Sequence, residues 1–353
     1  MSDAGEMTAE LPVSPQDCPF VDVRHASRRF ERRMSPVAAF LARLGLDYAD
    51  EIVHAVDDVS LRIGKGSVLG LVGESGCGKS TLGRLIASLL PVSDGEVRID
   101  GHRMASKAEP LSRRELLRTQ MVFQNPMASL NPRQKIVDIL TEGPIYHGLI
   151  KRRDKNEFAA ALLLEVGLPQ DILSRLPHQF SGGQRQRIGI ARALSVSPDF
   201  LICDEPVAAL DVSIQAQIIN LLLDLKEKRA LTILFISHDL GVVRHLCDQV
   251  AVMYLGRIVE MAPTEALFSN PVHPYTKALF EEIPRIRGGH REYQPIKGEI
   301  PSPLSPPPGC HFHPRCPRAI ASCSSWAPPQ SVVGDGHSVS CWLNAPADPT
   351  RRN

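Results

Sequence analysis

The sequence has almost no excess charge of either sign: 40 Lys and Arg stand against 39 Asp and Glu, a formal net charge of +1 over 353 residues. Nucleic acid or a strongly anionic surface is therefore not expected as a partner on global electrostatic grounds, and any anion binding must come from local geometry. Long apolar runs are also missing. Leu231 to Ile236 and Phe200 to Cys203 are of strand length and end in polar or charged residues, far short of the ~20 residues that cross a bilayer, so any membrane role is expected to be peripheral. Met1 to Glu6 shows neither a basic start nor an apolar stretch, which predicts no secretory leader. The eight cysteines are then expected in a reducing compartment, where burial or metal ligation is favoured over disulfides.

A hydrophobic content of 43% in a chain of this length is enough for one large domain with an appendage. Residues 1–19 read as a polar, proline-containing lead-in, followed by a first strand near Phe20 to Val23. Arg28 to Asp50 reads as an insertion before Ala55 to Ile63, which alternates like a half-buried strand. Val68 to Val72 is a nearly continuous apolar run ending in glycine, the pattern of a buried strand. A strand over Gly95 to Gly101 and a short charged helix over Leu111 to Arg118 follow. Residues 125–196 read as an inserted helical subdomain, with amphipathic helices over Lys155 to Val166 and Gln184 to Leu194. Strands at Phe200 to Cys203 and Thr232 to Ile236 flank a helix over Ile214 to Lys228 and form a βαβ unit. The composition shifts after residue 262; residues 301–308 are mostly proline and four cysteines follow, so 263–353 is expected to be a separate small module.

Gly73-Glu74-Ser75-Gly76-Cys77-Gly78-Lys79-Ser80 fits a phosphate-binding loop set between a strand and an apolar helix over Leu82 to Leu90. Its glycines let backbone N–H groups turn inward, the helix start adds positive potential, Lys79 reaches the outer phosphates, and Ser80 can ligate Mg²⁺; ATP and Mg²⁺ are expected over Gly73 to Thr81. Asp204 and Glu205 end an apolar strand, where Asp204 would hold Mg²⁺ and Glu205 would polarise an attacking water. Gln124, at the junction of the core and the helical insertion, can reach metal or water. His238, at the end of another buried strand, is placed either to contact a γ-phosphate or to serve as a core histidine.

A second anion site is present in the same chain. Ser181-Gly182-Gly183-Gln184 supplies a hydroxyl, two small residues and an opening helix. It is not needed by the site in its own subunit, so the expectation is that it closes over the nucleotide of a second subunit, with Asp211 crossing the same interface.

Taken in order, the phosphate loop, Gln124, Ser181 to Gln184, Asp204-Glu205, Asp211 and His238 resemble the motif set of the ATP-binding subunit of ABC transporters over about residues 20–262. The stretch Phe123 to Arg133, the Leu210 to Gln217 helix start, and His273-Pro274-Tyr275-Thr276 with the cysteine tail look like the oligopeptide/dipeptide/nickel importer branch, and Gly76 to Thr81 with the Asn131-Pro132-Arg133 ending look more like its second, F-type, ATPase. The resemblance implies an α/β P-loop NTPase core of RecA type with an antiparallel β subdomain, an inserted helical subdomain and a cysteine-containing C-terminal module. It also implies a second, non-identical ATPase, two permeases and an external binding protein as partners, at the cytoplasmic face of the inner membrane. Ala208 departs from the usual serine. The adenine-stacking aromatic is expected to be Phe30, with Tyr48 as the alternative. Neither the coiled coil of DNA-repair members nor the paired cassettes of translation members is present, which weighs against a nucleic-acid or ribosome ATPase.

Cys310, Cys316, Cys323 and Cys341 are expected to hold a metal, an iron-sulfur cluster such as [4Fe-4S] ahead of Zn²⁺, since paired C-x-x-C knuckles are absent. His311 and His313 are spare ligands. Cys77, beside the triphosphate, is expected to be open to alkylation with loss of ATP binding.

Overall fold

A computed structural model describes residues 19–32, 51–104, 111–125, 129–208, 210–281 and 298–345. The expected lead-in, residue 19 apart, and Tyr48 lie outside these residues. Strands in the first part of the chain are β1 (Val21–Arg32), β2 (Glu51–Ile63), β3 (Val68–Val72), β4 (Asp94–Ile99), β5 (His102–Arg103) and β6 (Thr119–Val122). They are followed by β7 (Phe200–Asp204), β8 (Thr232–Ile236), β9 (Gln249–Tyr254), β10 (Arg257–Pro263), β11 (Gln330–Gly334) and β12 (His337–Ser340). The helices that matter here are α1 (Lys79–Ile86), α2 (Arg113–Arg118), α3 (Ile136–Tyr146), α4 (Lys155–Glu165), α5 (Gly182–Leu194), α6 (Val212–Arg229), α7 (Leu240–Leu246), α8 (Thr264–Ser269) and α9 (Pro274–Glu281).

The strands form two sheets. An antiparallel sheet has the order β2-β1-β4-β5, and a larger one runs β11-β12-β10-β9-β3-β8-β7-β6. In the larger sheet β6, β7, β8, β3 and β9 are mutually parallel, while β10, β12 and β11 continue it antiparallel. Every residue of β3, β7 and β8 is buried, as their uninterrupted apolar runs require of parallel strands covered on both faces. On β2 the alternation is interrupted: Ala26 faces Val59 but Arg28 faces Val56, so one extra residue is accommodated on β2. Asp58 takes a positive φ of 54° there, a bulge that strengthens the local twist.

Helices α3, α4 and α5 fall between β6 and β7 and pack around Ile139, Leu140, Leu162, Leu163 and Ile188. Helix α1 is shorter than expected and starts earlier. The glycine loop winds straight into it, and it ends at Ile86 with Ala87 as its C-cap, before Ser88 turns to a φ of 57°. The stretch expected as a separate C-terminal module shares in the main fold, because β12 pairs with β10 through Glu260↔Val339 and Met261↔Ser338. Phe312 is buried in the same core as Tyr254 and Tyr275, with ring centroids 5.2 and 5.4 Å away. Among the described residues no helix is long and apolar enough to cross a membrane.

Candidate functional site

The order β3-β8-β7-β6 places four strand ends side by side. Gly73 follows β3, Ser237 and His238 follow β8, Glu205 follows β7, and Gln124 lies just beyond β6. In an open α/β sheet, loops at the carboxyl ends of parallel strands are where ligands bind. The topology therefore gathers residues spread over more than a hundred positions on one edge.

The loop after β3 turns tightly. Gly78 has a φ of 109°, and a Cβ there would lie 2.1 Å from the Ala55 carbonyl oxygen, so only glycine fits. Helix α1 then opens with no side-chain cap and no acidic residue in its first turn. Its first N–H groups are left for an anion, and the helix dipole favours negative charge at that end. Lys79 is buried and donates from Nζ to the carbonyls of Gly73 and Glu74 at 2.8 and 2.9 Å. Ser75 and Gly76 stand exposed at the crest of the loop, and Thr81 is half-buried in α1. The Cys77 thiol lies 3.8 Å from Lys79 Nζ. Burial pushes it upward against the opposing pull of Lys79, so the thiol expected to be open to alkylation is enclosed and disfavoured as a thiolate.

Ser80 Oγ donates to Asp204 Oδ1 at 2.8 Å, which joins the phosphate loop to the end of β7. Burial raises the Asp204 carboxyl above its ordinary range, and the Ser80 hydrogen bond opposes that rise. Glu205 has a φ of 45°, a left-handed conformation that a residue with a side chain adopts only when its surroundings hold it there. Its Oε2 accepts from Gln124 Nε2 at 2.8 Å and lies 3.5 Å from His238 Nδ1. The structure thus brings Gln124, Glu205 and His238 onto one carboxylate oxygen. Hard oxygen donors from Ser80 and Asp204, with the Gln124 amide on the adjoining loop, fit a small dication that takes its remaining ligands from phosphate and water.

Ser181 caps α5 in a reciprocal box: the Gln184 N–H donates to Ser181 Oγ at 3.4 Å and the Ser181 N–H donates to Gln184 Oε1 at 3.1 Å. Gly182 is exposed and Gly183 buried; a Cβ on Gly183 would approach Ile214 Cγ2 to 2.5 Å. Close packing of α5 on α6 therefore requires that glycine as well. Among the described residues no hydrogen bond joins this turn to the phosphate loop. Asp211 begins α6 with an exposed side chain that caps nothing. Gln215, which the sequence pattern did not single out for chemistry, donates to the carbonyls of Val207 and Leu210 and fixes the turn before it. Phe30 is half-buried on β1 opposite Val53, with the Arg28 guanidinium 4.7 Å from its ring centroid.

The metal centre expected at the cysteine tail finds no support in the arrangement of the side chains. Among the described residues no group of three or more His, Cys, Asp or Glu is arranged to hold a metal ion. Burial raises the thiols of Cys310 (to about 11), Cys316 and Cys341, and neighbouring cysteines add to the rise. The Cys310 N–H donates to the Cys323 carbonyl at 2.8 Å. Both spare histidines have structural partners: His311 Nδ1 donates to the Leu255 carbonyl and His313 Nδ1 to the Cys310 carbonyl. Two residues given no role by the sequence, Tyr275 and Arg315, contact the phosphate loop at Glu74.

A mixed sheet with a parallel core that carries a phosphate loop and a strand-end Asp-Glu pair, together with a serine-glycine turn opening a helix, defines a P-loop ATPase of the ABC type. Residues 56–208 match the ABC transporter family model, and residues 259–323 match the model of the oligopeptide/dipeptide transporter C-terminal region. A probable peptide ABC transporter ATP-binding protein of Sinorhizobium fredii is 49% identical over 84% of this chain and 84% of its own length. The oligopeptide transport ATP-binding protein AppF of Bacillus subtilis is 50% identical over 82% of this chain and 90% of its own. A solved dimer of the ATP-binding cassette MJ0796, in a post-hydrolysis state with ADP and phosphate, is 26% identical with a TM-score of 0.57, covering 69% of this chain and 98% of that one. The chain belongs to the oligopeptide/dipeptide transporter family of ABC ATP-binding proteins.

Proposed function

We propose that this chain is the ATP-hydrolysing subunit of a peptide importer and works as one half of a nucleotide-closed pair. The observation that carries the reading is the presence of two anion sites in one chain, the phosphate loop and the Ser181 turn, with no hydrogen bond between them among the described residues. Each is completed by the opposite subunit, and the solved cassette dimer with ADP and phosphate supports that arrangement. Lys79 and the open N–H groups of α1 bind the phosphates. Ser80, Asp204 and Gln124 would hold Mg²⁺, which supplies charge neutralisation on the phosphate oxygens. Glu205, steadied by Gln124 and His238, takes the proton of the attacking water. Ser181 to Gln184 and Asp211 serve the partner's nucleotide, and Phe30 would stack on adenine.

Peptide as cargo rests on the names of the relatives, and the cargo itself is recognised by other subunits. The partners in this reading are a non-identical second ATPase, two permeases and an external binding protein, with the chain peripheral at the cytoplasmic membrane face. Iron-sulfur or zinc held by Cys310, Cys316, Cys323 and Cys341 rests on the sequence alone. Iron, sulfide and zinc analysis of protein purified without oxygen decides that point. The main reading is tested by purifying the tagged chain from native membranes: two polytopic permeases should accompany it, whereas recovery with nucleic acid or ribosomes would overturn it.

A further inference from the structure

Glu74 is the second residue of the phosphate loop, and each of its polar groups is held. The side chain is gripped from 241 positions away: Arg315 Nη1 donates to Oε2 at 2.8 Å and Nη2 to Oε1 at 3.1 Å. This fork-to-fork pair is shielded, with side-chain exposures of 6% for Arg315 and 19% for Glu74. The Glu74 N–H donates to Tyr275 Oη at 3.0 Å, and its carbonyl accepts from Lys79. Arg315 is braced in turn, with Nη1 3.4 Å from Tyr254 Oη and its guanidinium carbon 5.9 Å from that ring's centroid. Tyr254, Tyr275 and Phe312 form one aromatic cluster.

A carboxylate inside a phosphate-binding loop is an electrostatic liability, since it repels the triphosphate the loop must accept. A bidentate guanidinium cancels that charge and fixes the side chain's direction, which an ammonium point charge does less well. Tyr275 ties off the one N–H of Glu74, so its backbone cannot swing. We propose that Arg315 and Tyr275 are positioning residues for ATP: the segment beyond residue 270 reaches back to neutralise Glu74 and hold the phosphate loop in its receptive shape. This rests on the reading of Gly73 to Thr81 as the ATP site.

The test is titration of MgATP into the purified full-length chain, with folding of each variant checked by thermal denaturation. Arg315→Ala is expected to raise Kd about tenfold. Adding Glu74→Gln to it is expected to recover most of that loss, because the uncompensated carboxylate is gone. A merely structural role gives no such recovery. The Arg315→Ala penalty should also shrink at high salt, as a repulsion between charges does. Tyr275→Phe, which keeps the ring and removes the acceptor, should weaken binding by roughly threefold. Should Arg315→Ala fail to fold, Arg315→Lys carries the test: it is expected to bind about threefold more weakly, with Glu74→Gln again compensating. Unchanged Kd in folded Arg315 variants, or losses that add when combined with Glu74→Gln, would overturn the proposal. Lys79→Ala separates the two levels: if it binds ATP normally the nucleotide site itself is misassigned, and if it alone loses binding only the positioning role fails.

Discussion

Glu205 holds a left-handed backbone, φ 45°, while its carboxylate receives the Gln124 amide and faces His238. Strain of this kind costs on the order of 1–3 kcal/mol and persists where the surroundings enforce it, commonly at catalytic positions. The backbone is pinned by the Glu205 N–H donating to the Ile236 carbonyl at 3.0 Å. Glu205→Gln keeps the shape and hydrogen-bonding reach but removes the base, so hydrolysis should slow by roughly 10² to 10⁴ with MgATP affinity nearly unchanged. Single-turnover hydrolysis with a parallel binding titration checks this, and near-normal turnover would contradict the assignment. Glu205 and His238 are legible because each follows an apolar strand, and Gln124 from its place between the core and the helical insertion. The Glu74–Arg315 pair is not legible, since nothing local in either segment points to the other.

At the scale of elements, α5 and α6 meet at a glycine. Gly183→Ala would press its Cβ against Ile214 Cγ2, and overpacking of this sort costs about 1–3 kcal/mol, more than the gain in helix propensity returns. Urea denaturation should show that loss and its partial recovery in Gly183→Ala/Ile214→Ala; undiminished stability in the single variant would contradict the packing. Strands β3, β7 and β8 and helix α6 can be read from sequence because continuous apolar runs and helical spacing are local signals. The pairing of β12 with β10 cannot. His337 to Ser340 is short and, Val339 apart, polar, and its partner strand lies some eighty positions earlier, so the proline-rich stretch before it reads as a boundary although the strands join the sheet. For the four cysteines, no metal-holding arrangement is found among the described residues.

At the scale of the whole molecule, the last segment is tied to the main sheet around His273. It is buried, its Nδ1 accepts from the Tyr275 N–H at 3.0 Å, its own N–H donates to Glu260 at 2.9 Å, and Phe312 packs beside it. Burial depresses the His273 pKa to about 3, below the ordinary value of ~6.5 that it regains on unfolding. Its contribution is therefore fully present above pH ~6.5 and is lost as pH falls from there toward 3, by up to about 1.4 kcal/mol per pH unit. Between pH 7 and pH 5 the native chain should lose roughly 2 kcal/mol more than His273→Asn, which keeps an acceptor and does not titrate; equal losses in urea titrations would contradict this. The larger claim is that the phosphate loop of one subunit and the Ser181 turn of another enclose the nucleotide between them. Sedimentation of Glu205→Gln with its companion ATPase, with and without MgATP, tests it most directly: the account predicts a two-chain species only with MgATP, lost on Ser181→Arg, and a single-chain species at saturating nucleotide would contradict it.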